Sequence, residues 1–242
     1  EDIRGTNSPF DSLAKYGKGS GFTVGGTSWY VKELSCDEIK QGKKIYILFE
    51  GVYLEADVWV NNKHVGYHPY GYTSFYCNIS DDLNFDGTSN QIKVKVKNDK
   101  PIRWYSGSGI YRPVRLVICN PIHIKQWGTF IHSRIIDNKS ALLTISSEIV
   151  NKLNENKTVD LLFEVLEENN IVTSIKKKNV GLISNSTTNL VNTIKLDNPK
   201  FWSAQSPNLY SLRTTVRVDE KTIDNTVESF GIRTIVADSI KG

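Results

Sequence analysis

Nucleophilic or metal-assisted chemistry in this 242-residue sequence would have to be built from four histidines, three cysteines and scattered serines. His64, His68, His123 and His132 show no metal-ligand spacing on a common element. Cys36, Cys77 and Cys119 are widely spaced and odd in number, with no Cys-x-x-Cys pair, so neither a disulfide framework nor a metal site is expected. Small thiols within apolar strands, such as Cys119 after Val117-Ile118, are expected in the core. The serines lack the strand–turn–helix setting that exposes an activated nucleophile. These groups predict no catalytic residue, no metal and no cofactor.

The formal charge of +4 comes from lysines spread over strand faces, such as Lys93, Lys95 and Lys97, whereas a nucleic-acid site gathers its cations on one surface. The densest basic run, Lys176-Lys177-Lys178, reads as a solvated strand end or turn. No nucleic-acid partner is expected. No stretch approaches the roughly 18 uninterrupted apolar residues of a membrane helix, so no membrane insertion is expected either. The first residues, Glu1-Asp2-Ile3-Arg4-Gly5, lack the regions of a signal peptide. The sequence contains no Met, which predicts a processed product or an excised fragment.

The dominant hydrophobic period is two. Ile92, Val94 and Val96 alternate with Lys93, Lys95 and Lys97, the pattern of a half-buried antiparallel strand, and 55–61, 159–165 and 210–219 read the same way. No window of eleven or more residues holds helical spacing with caps at both ends, so only short helical connectors are expected. Asn61-Asn62 between Val58-Trp59-Val60 and His64-Val65 predicts a tight hairpin, because Asn tolerates positive φ. Asp81-Asp82, Asp86-Gly87 and Asn169-Asn170 are expected to turn the chain in the same way. At Asn120-Pro121 a strand meets a Pro that cannot join a central ladder, which predicts a domain boundary. The expected fold class is all-β: a jelly-roll-type β-sandwich over 1–120, then an immunoglobulin-like β-sandwich over 121–236.

Four segments resemble family 2 glycoside hydrolases, the group of β-galactosidases, β-glucuronidases and β-mannosidases. They are Gly26-Thr27-Ser28-Trp29-Tyr30-Val31-Lys32; the stretch from Phe49-Glu50-Gly51-Val52-Tyr53 through Asp57-Val58-Trp59-Val60-Asn61-Asn62 to Gly71-Tyr72-Thr73-Ser74-Phe75; Arg103-Trp104-Tyr105-Ser106-Gly107-Ser108-Gly109-Ile110-Tyr111-Arg112; and Phe201-Trp202-Ser203 with Pro207-Asn208-Leu209-Tyr210 and Phe230-Gly231-Ile232-Arg233. They occur in the family's order over nearly the whole chain. Asn62 stands where the family commonly has Gly, and Ser74 where it commonly has Pro. The resemblance implies that Phe230-Gly231-Ile232-Arg233 marks the handover to a catalytic barrel, with 237–242 the start of that connection. It also implies that an edge strand precedes Asp2-Ile3-Arg4-Gly5, so an open sheet edge would invite pairing of copies into a homo-oligomer.

By the same resemblance the chemistry needs two carboxyl groups about 5 Å apart, both supplied by the barrel. The sequence holds one Asn-Glu pair, Asn154-Glu155, inside the polar segment 151–157, and that setting predicts a solvated hairpin loop. No catalytic residue is therefore expected in this chain. Arg103, Trp104 and Tyr105 resemble a loop that approaches the barrel's active-site mouth and are the candidate substrate-binding residues, with packing between domains as the alternative. Gly107, Ser108 and Gly109 are expected to meet backbone requirements of that loop. Trp29 and Trp59 could stack on a sugar, but their place inside alternating strands predicts core or interface residues. Tyr70 and Tyr72 flank Gly71 in a loop, and Trp202 and Tyr210 are expected to pack. The expected partner is a carbohydrate, bound through the parent enzyme's barrel, and the family implies a periplasmic or secreted protein. The competing readings are a free-standing carbohydrate-binding or adhesion module pair and a scaffold for oligomer contacts.

Overall fold

The computed structural model describes residues 11–14, 17–22, 25–36, 41–99 and 108–235. Its backbone divides into two compact units, Glu1–Ile118 and Cys119–Gly242. Among the described residues the one helical stretch is a four-residue 3₁₀ turn, Gly17–Ser20, and the remainder is strands and turns.

The first unit holds strands β1 (Gly26–Leu34), β2 (Lys44–Phe49), β3 (Val52–Tyr53), β4 (Glu55–Val60), β5 (Lys63–His68), β6 (Phe75–Asn78), β7 (Asn90–Asn98), β8 (Gly109–Ile110) and β9 (Val114–Cys119). A sheet ordered β1-β7-β4-β5 packs on a sheet ordered β6-β2-β9, and β3 pairs with β8. Alternation decides what lies between the sheets. In β4, Ala56, Val58 and Val60 are fully buried, while β2 contributes Ile45, Ile47 and Phe49 from the opposite side. Phe49 and Phe75 stack at 4.8 Å within this core.

Asn61 and Asn62 form the predicted hairpin corner, at φ of 47° and 66°. Asn61 does more than turn the chain: its amide donates to the Asp82 carbonyl at 2.8 Å and to Asn90 Oδ1 at 2.7 Å, and its Oδ1 accepts from the Gln91 N–H. A Gly there would keep the turn and lose all three bonds. Two expectations need correction. Of the two places expected for Trp29 and Trp59, core or interface, the core is ruled out, because the inward positions of β1 and β4 have the other parity; Trp29 is 55% exposed on the outer sheet face. Cys119, at the end of β9, is only half-buried, whereas Cys36 and Cys77 are buried. Burial pushes the Cys77 thiol up to about 11, so it stays a neutral core group.

The second unit runs β10 (Ile122–Asp137), β11 (Ser140–Asn151), β12 (Lys157–Glu167), β13 (Asn170–Leu182), β14 (Ser186–Asp197), β15 (Tyr210–Val218) and β16 (Lys221–Phe230). Sheets ordered β10-β11-β14 and β13-β12-β15-β16 enclose Leu143, Ile145 and Ile149 from one side, and Leu161, Phe163, Val165, Leu212 and Val216 from the other. This is the immunoglobulin-like arrangement of three strands over four. The β12–β13 corner is Glu168-Asn169, at φ of 47° and 71°, one residue earlier than expected, with Asn170 already paired to Glu167. Lys176-Lys177-Lys178 lies within β13 rather than at a strand end, and Lys176 pairs with Asp160 at 3.2 Å.

A buried histidine and a half-buried aspartate lie close to each other in this sandwich. His123 is 3% exposed, and its Nδ1 lies 2.8 Å from the Asn120 carbonyl. Asp224 accepts the Ile124 N–H at 2.7 Å. Burial holds the His123 imidazole below its ordinary range and the Asp224 carboxyl above its own. A lowered His pKa means that the folded state binds fewer protons than the unfolded chain. Its contribution is therefore present above about pH 6.5 and is lost as the pH falls toward the folded value. Asp224 has the opposite sign: its raised pKa contributes most at low pH, and the contribution is lost as the pH rises through the folded value. Melting temperatures of His123→Gln, measured from about pH 7.5 down to 5, are expected to fall less steeply than those of the wild type.

Candidate functional site

Arg103, Trp104 and Tyr105 lie outside the described residues. At the end of β7 the Asn98 amide donates to Ser108 Oγ at 2.7 Å, which ties that strand to the residue before Gly109. Gly109 follows at φ +105°, and a Cβ there would sit 2.1 Å from the Tyr30 hydroxyl. The expectation of a backbone requirement therefore holds at Gly109, while Ser108 acts through its side chain. Gly109 also pairs with Tyr53 in the short β3–β8 ladder, which couples the returning chain to the segment 49–53.

That ladder gathers four tyrosines. Tyr53 lies flat over Gly71, where a Cβ would come within 2.1 Å of its ring, and Tyr111 covers Gly51 in the same way. The Tyr111 hydroxyl donates to the Gly71 carbonyl at 2.7 Å. Tyr72 meets Tyr53 edge-on at 5.3 Å and Tyr70 at 5.7 Å, within the range for favourable aromatic pairs. His68 stacks on Phe75 at 4.4 Å, and its Nε2 lies 3.0 Å from Thr73 Oγ1, which braces the base of the 69–74 turn. The rings remain accessible: Tyr70, Tyr72 and Tyr111 are each roughly half exposed or more. Partial desolvation beside Tyr53, Tyr70 and Tyr111 raises the Tyr72 hydroxyl above its ordinary value. Arg112 extends over the Tyr111 ring at 5.7 Å.

Sequence reasoning named Tyr70 and Tyr72 but missed Tyr53 and Tyr111. The available signal was each glycine's need for an aromatic cover, which becomes specific only once β3 and β8 are paired. Glu155 stands in an exposed turn, where it pairs with Lys157 at 2.8 Å, and Asn154 accepts from Asn185. Among the described residues no group of three His, Cys, Asp or Glu side chains could hold a metal ion. Tyr210 packs as expected, 4% exposed and with its hydroxyl accepting the Lys200 N–H. Trp202 is half-buried, with Gly231 against its ring and Arg233 over it at 4.7 Å.

Two β-sandwiches follow one another along the chain, and the first carries an open tyrosine cluster on its β3–β8 ladder. The chain belongs to glycosyl hydrolases family 2: residues 17–119 match the family's sugar binding domain and residues 122–233 match a second domain of the same family. A β-galactosidase of Bacteroides ovatus is 33% identical over 93% of this chain, and a putative β-glucuronidase of Formosa agariphila is 35% identical over 90%. The chain spans only 27% and 20% of those two relatives. The crystal structure of a family 2 member from Bacteroides cellulosilyticus superposes with a TM-score of 0.89 at 38% identity, covering all of this chain and 32% of that one. A family 2 β-glucuronidase superposes at 0.82 with 30% identity, covering 88% of this chain and 24% of that one.

Proposed function

We propose that this chain is the non-catalytic region of a retaining β-glycosidase of the β-galactosidase or β-glucuronidase kind, shaping the substrate site of a catalytic barrel outside the chain. In this reading 1–120 is the sugar-binding jelly roll, 121–236 is the immunoglobulin-like spacer and 237–242 begins the connection to the barrel. Arg103, Trp104 and Tyr105 reach the substrate from the loop that Asn98, Ser108 and Gly109 close. The tyrosine cluster is the observation that carries the proposal. Rings held by glycine contacts and hydrogen bonds are pre-ordered, so a sugar or a neighbouring loop meets them with little further loss of side-chain entropy. Hydrolysis needs two closely placed carboxyl groups, and Glu155 is engaged by a lysine in a solvated turn.

The chain by itself is expected to release no nitrophenol from nitrophenyl β-galactoside or β-glucuronide. Turnover that survives repurification and depends on Glu155 would overturn the assignment.

A further inference from the structure

The outer face of the sheet β1-β7-β4-β5 carries side chains that the site above does not use. Strand register sets Trp29, Lys95 and Asp57 in one row across β1, β7 and β4, and Val31, Lys93 and Trp59 in the next row on the same face. The Trp29 and Trp59 rings lie 5.3 Å apart at 35°, in tandem rather than in full stack, and the His64 ring stands edge-on to Trp59 at 5.1 Å. Asp57 Oδ1 lies 2.9 Å from His64 Nε2, and Lys93 donates to Asn62 Oδ1 at 3.0 Å. Tyr67, 53% exposed and paired with Asp57, continues the row to the sheet edge.

We propose that this face binds a neutral β-linked pyranose chain, as a second carbohydrate surface distinct from the Arg103–Tyr105 loop. A β-pyranose presents one face of axial C–H bonds, which are weakly positive and suited to the negative face of an indole, and a rim of hydroxyls that need both donors and acceptors. Here the two indoles supply the first, and Asp57, His64, Lys93 and Lys95 supply the second. A dry protein partner fits less well, because the core of a protein interface excludes Lys, Glu and Asp, which on this face surround the rings. The charges also select the ligand. Lys93, Lys95 and Lys97 lie in register with Trp59, Asp57 and Glu55, and Glu33 adjoins them beside Gln91. These three ammoniums are offset by Glu33, Glu55 and Asp57, and Lys97 also pairs with Asp99 at 3.4 Å, which leaves no positive field to favour a polyanion. Glu33 and Asp57 are already hydrogen-bonded within the face, to Gln91 and Ser89 and to His64, so the platform is ordered before ligand arrives.

The inference rests on the carbohydrate reading above but on different residues, so either can fail alone. The chain is titrated with β-1,4-linked hexasaccharides of glucose, galactose or mannose, and with the hexamer of β-1,4-linked glucuronic acid, following tryptophan fluorescence and heat. At least one neutral hexamer is expected to saturate with a Kd of about 1 mM or tighter, and the uronate to bind no better. Trp29→Ala is expected to weaken that binding about tenfold or more and Trp29→Phe to restore part of it, with the melting temperature of each recorded as a folding control. The proposal is overturned if no neutral hexamer saturates, if Trp29→Ala binds as the wild type does, if the uronate is preferred, or if sedimentation shows that Trp29 instead mediates self-association.

Discussion

Replacing Gly109 by Ala is expected to destabilise the first sandwich by about 3 kcal/mol, the sum of a backbone term and a contact term of similar size. The backbone term arises because Gly109 holds φ at +105°, outside the region that L side chains adopt readily. The contact term arises because the new Cβ would lie 2.1 Å from the Tyr30 hydroxyl, so the Tyr30 ring must leave its seat. Tyr30 is partly exposed and can swing, so the two terms are separable. In a Tyr30→Ala background the same substitution should retain only the backbone part, about 1–2 kcal/mol. Denaturant unfolding of the four chains of that cycle measures both, and perfect additivity would show that the contact contributes nothing. Gly109 also pairs with Tyr53, so the tyrosine cluster should loosen with it.

Phe163→Ala is expected to cost about 3–5 kcal/mol in the second sandwich, the usual range for emptying a buried aromatic site. Phe163 is fully buried in the middle of β12, paired to Ile175 on one side and Thr214 on the other. Both neighbouring strands are fixed in long ladders, so the cavity cannot collapse without breaking register. Amide exchange should accelerate through β11, β12 and β15, while β2, β4 and β7 of the first sandwich retain their protection. Equal acceleration in both sandwiches would contradict the division at Ile118–Cys119.

Strands were legible in the sequence wherever one face of an alternating run was apolar and the other charged. Ile92, Val94 and Val96 against three lysines is such a run, and so is the inward set Tyr210, Leu212, Thr214 and Val216. Legibility failed where both faces carried large apolar groups. In β1 the pattern offers Trp29 and Val31 on one side and Tyr30 and Leu34 on the other, and size alone favours the tryptophan as the buried group. The structure turns Tyr30 toward Gly109 instead, because only glycine at that position leaves room for its hydroxyl. Trp59 misleads for a related reason: two valines flank it, yet the strand's polar partner, Asp57, shares its face. The tyrosine cluster was half visible. Tyr70 and Tyr72 adjoin Gly71 in sequence, but Tyr53 and Tyr111 join them only through the β3–β8 ladder, which no local pattern announces. Loop corners such as Glu168-Asn169 shifted by one residue because Asn and Glu there tolerate the same turn, and the ladder pairing Glu167 with Asn170 decides between them.

In the proposed function the first sandwich shapes a substrate site whose carboxylates lie elsewhere. Its most direct test is the triple substitution Arg103→Ala, Trp104→Ala, Tyr105→Ala in the polypeptide that joins this chain to a catalytic barrel, assayed on nitrophenyl β-galactoside and β-glucuronide. On the preferred substrate kcat/KM is expected to fall about tenfold or more, with the melting temperature of the first sandwich unchanged. A kcat/KM within about twofold of the wild type, with the fold intact, would contradict it.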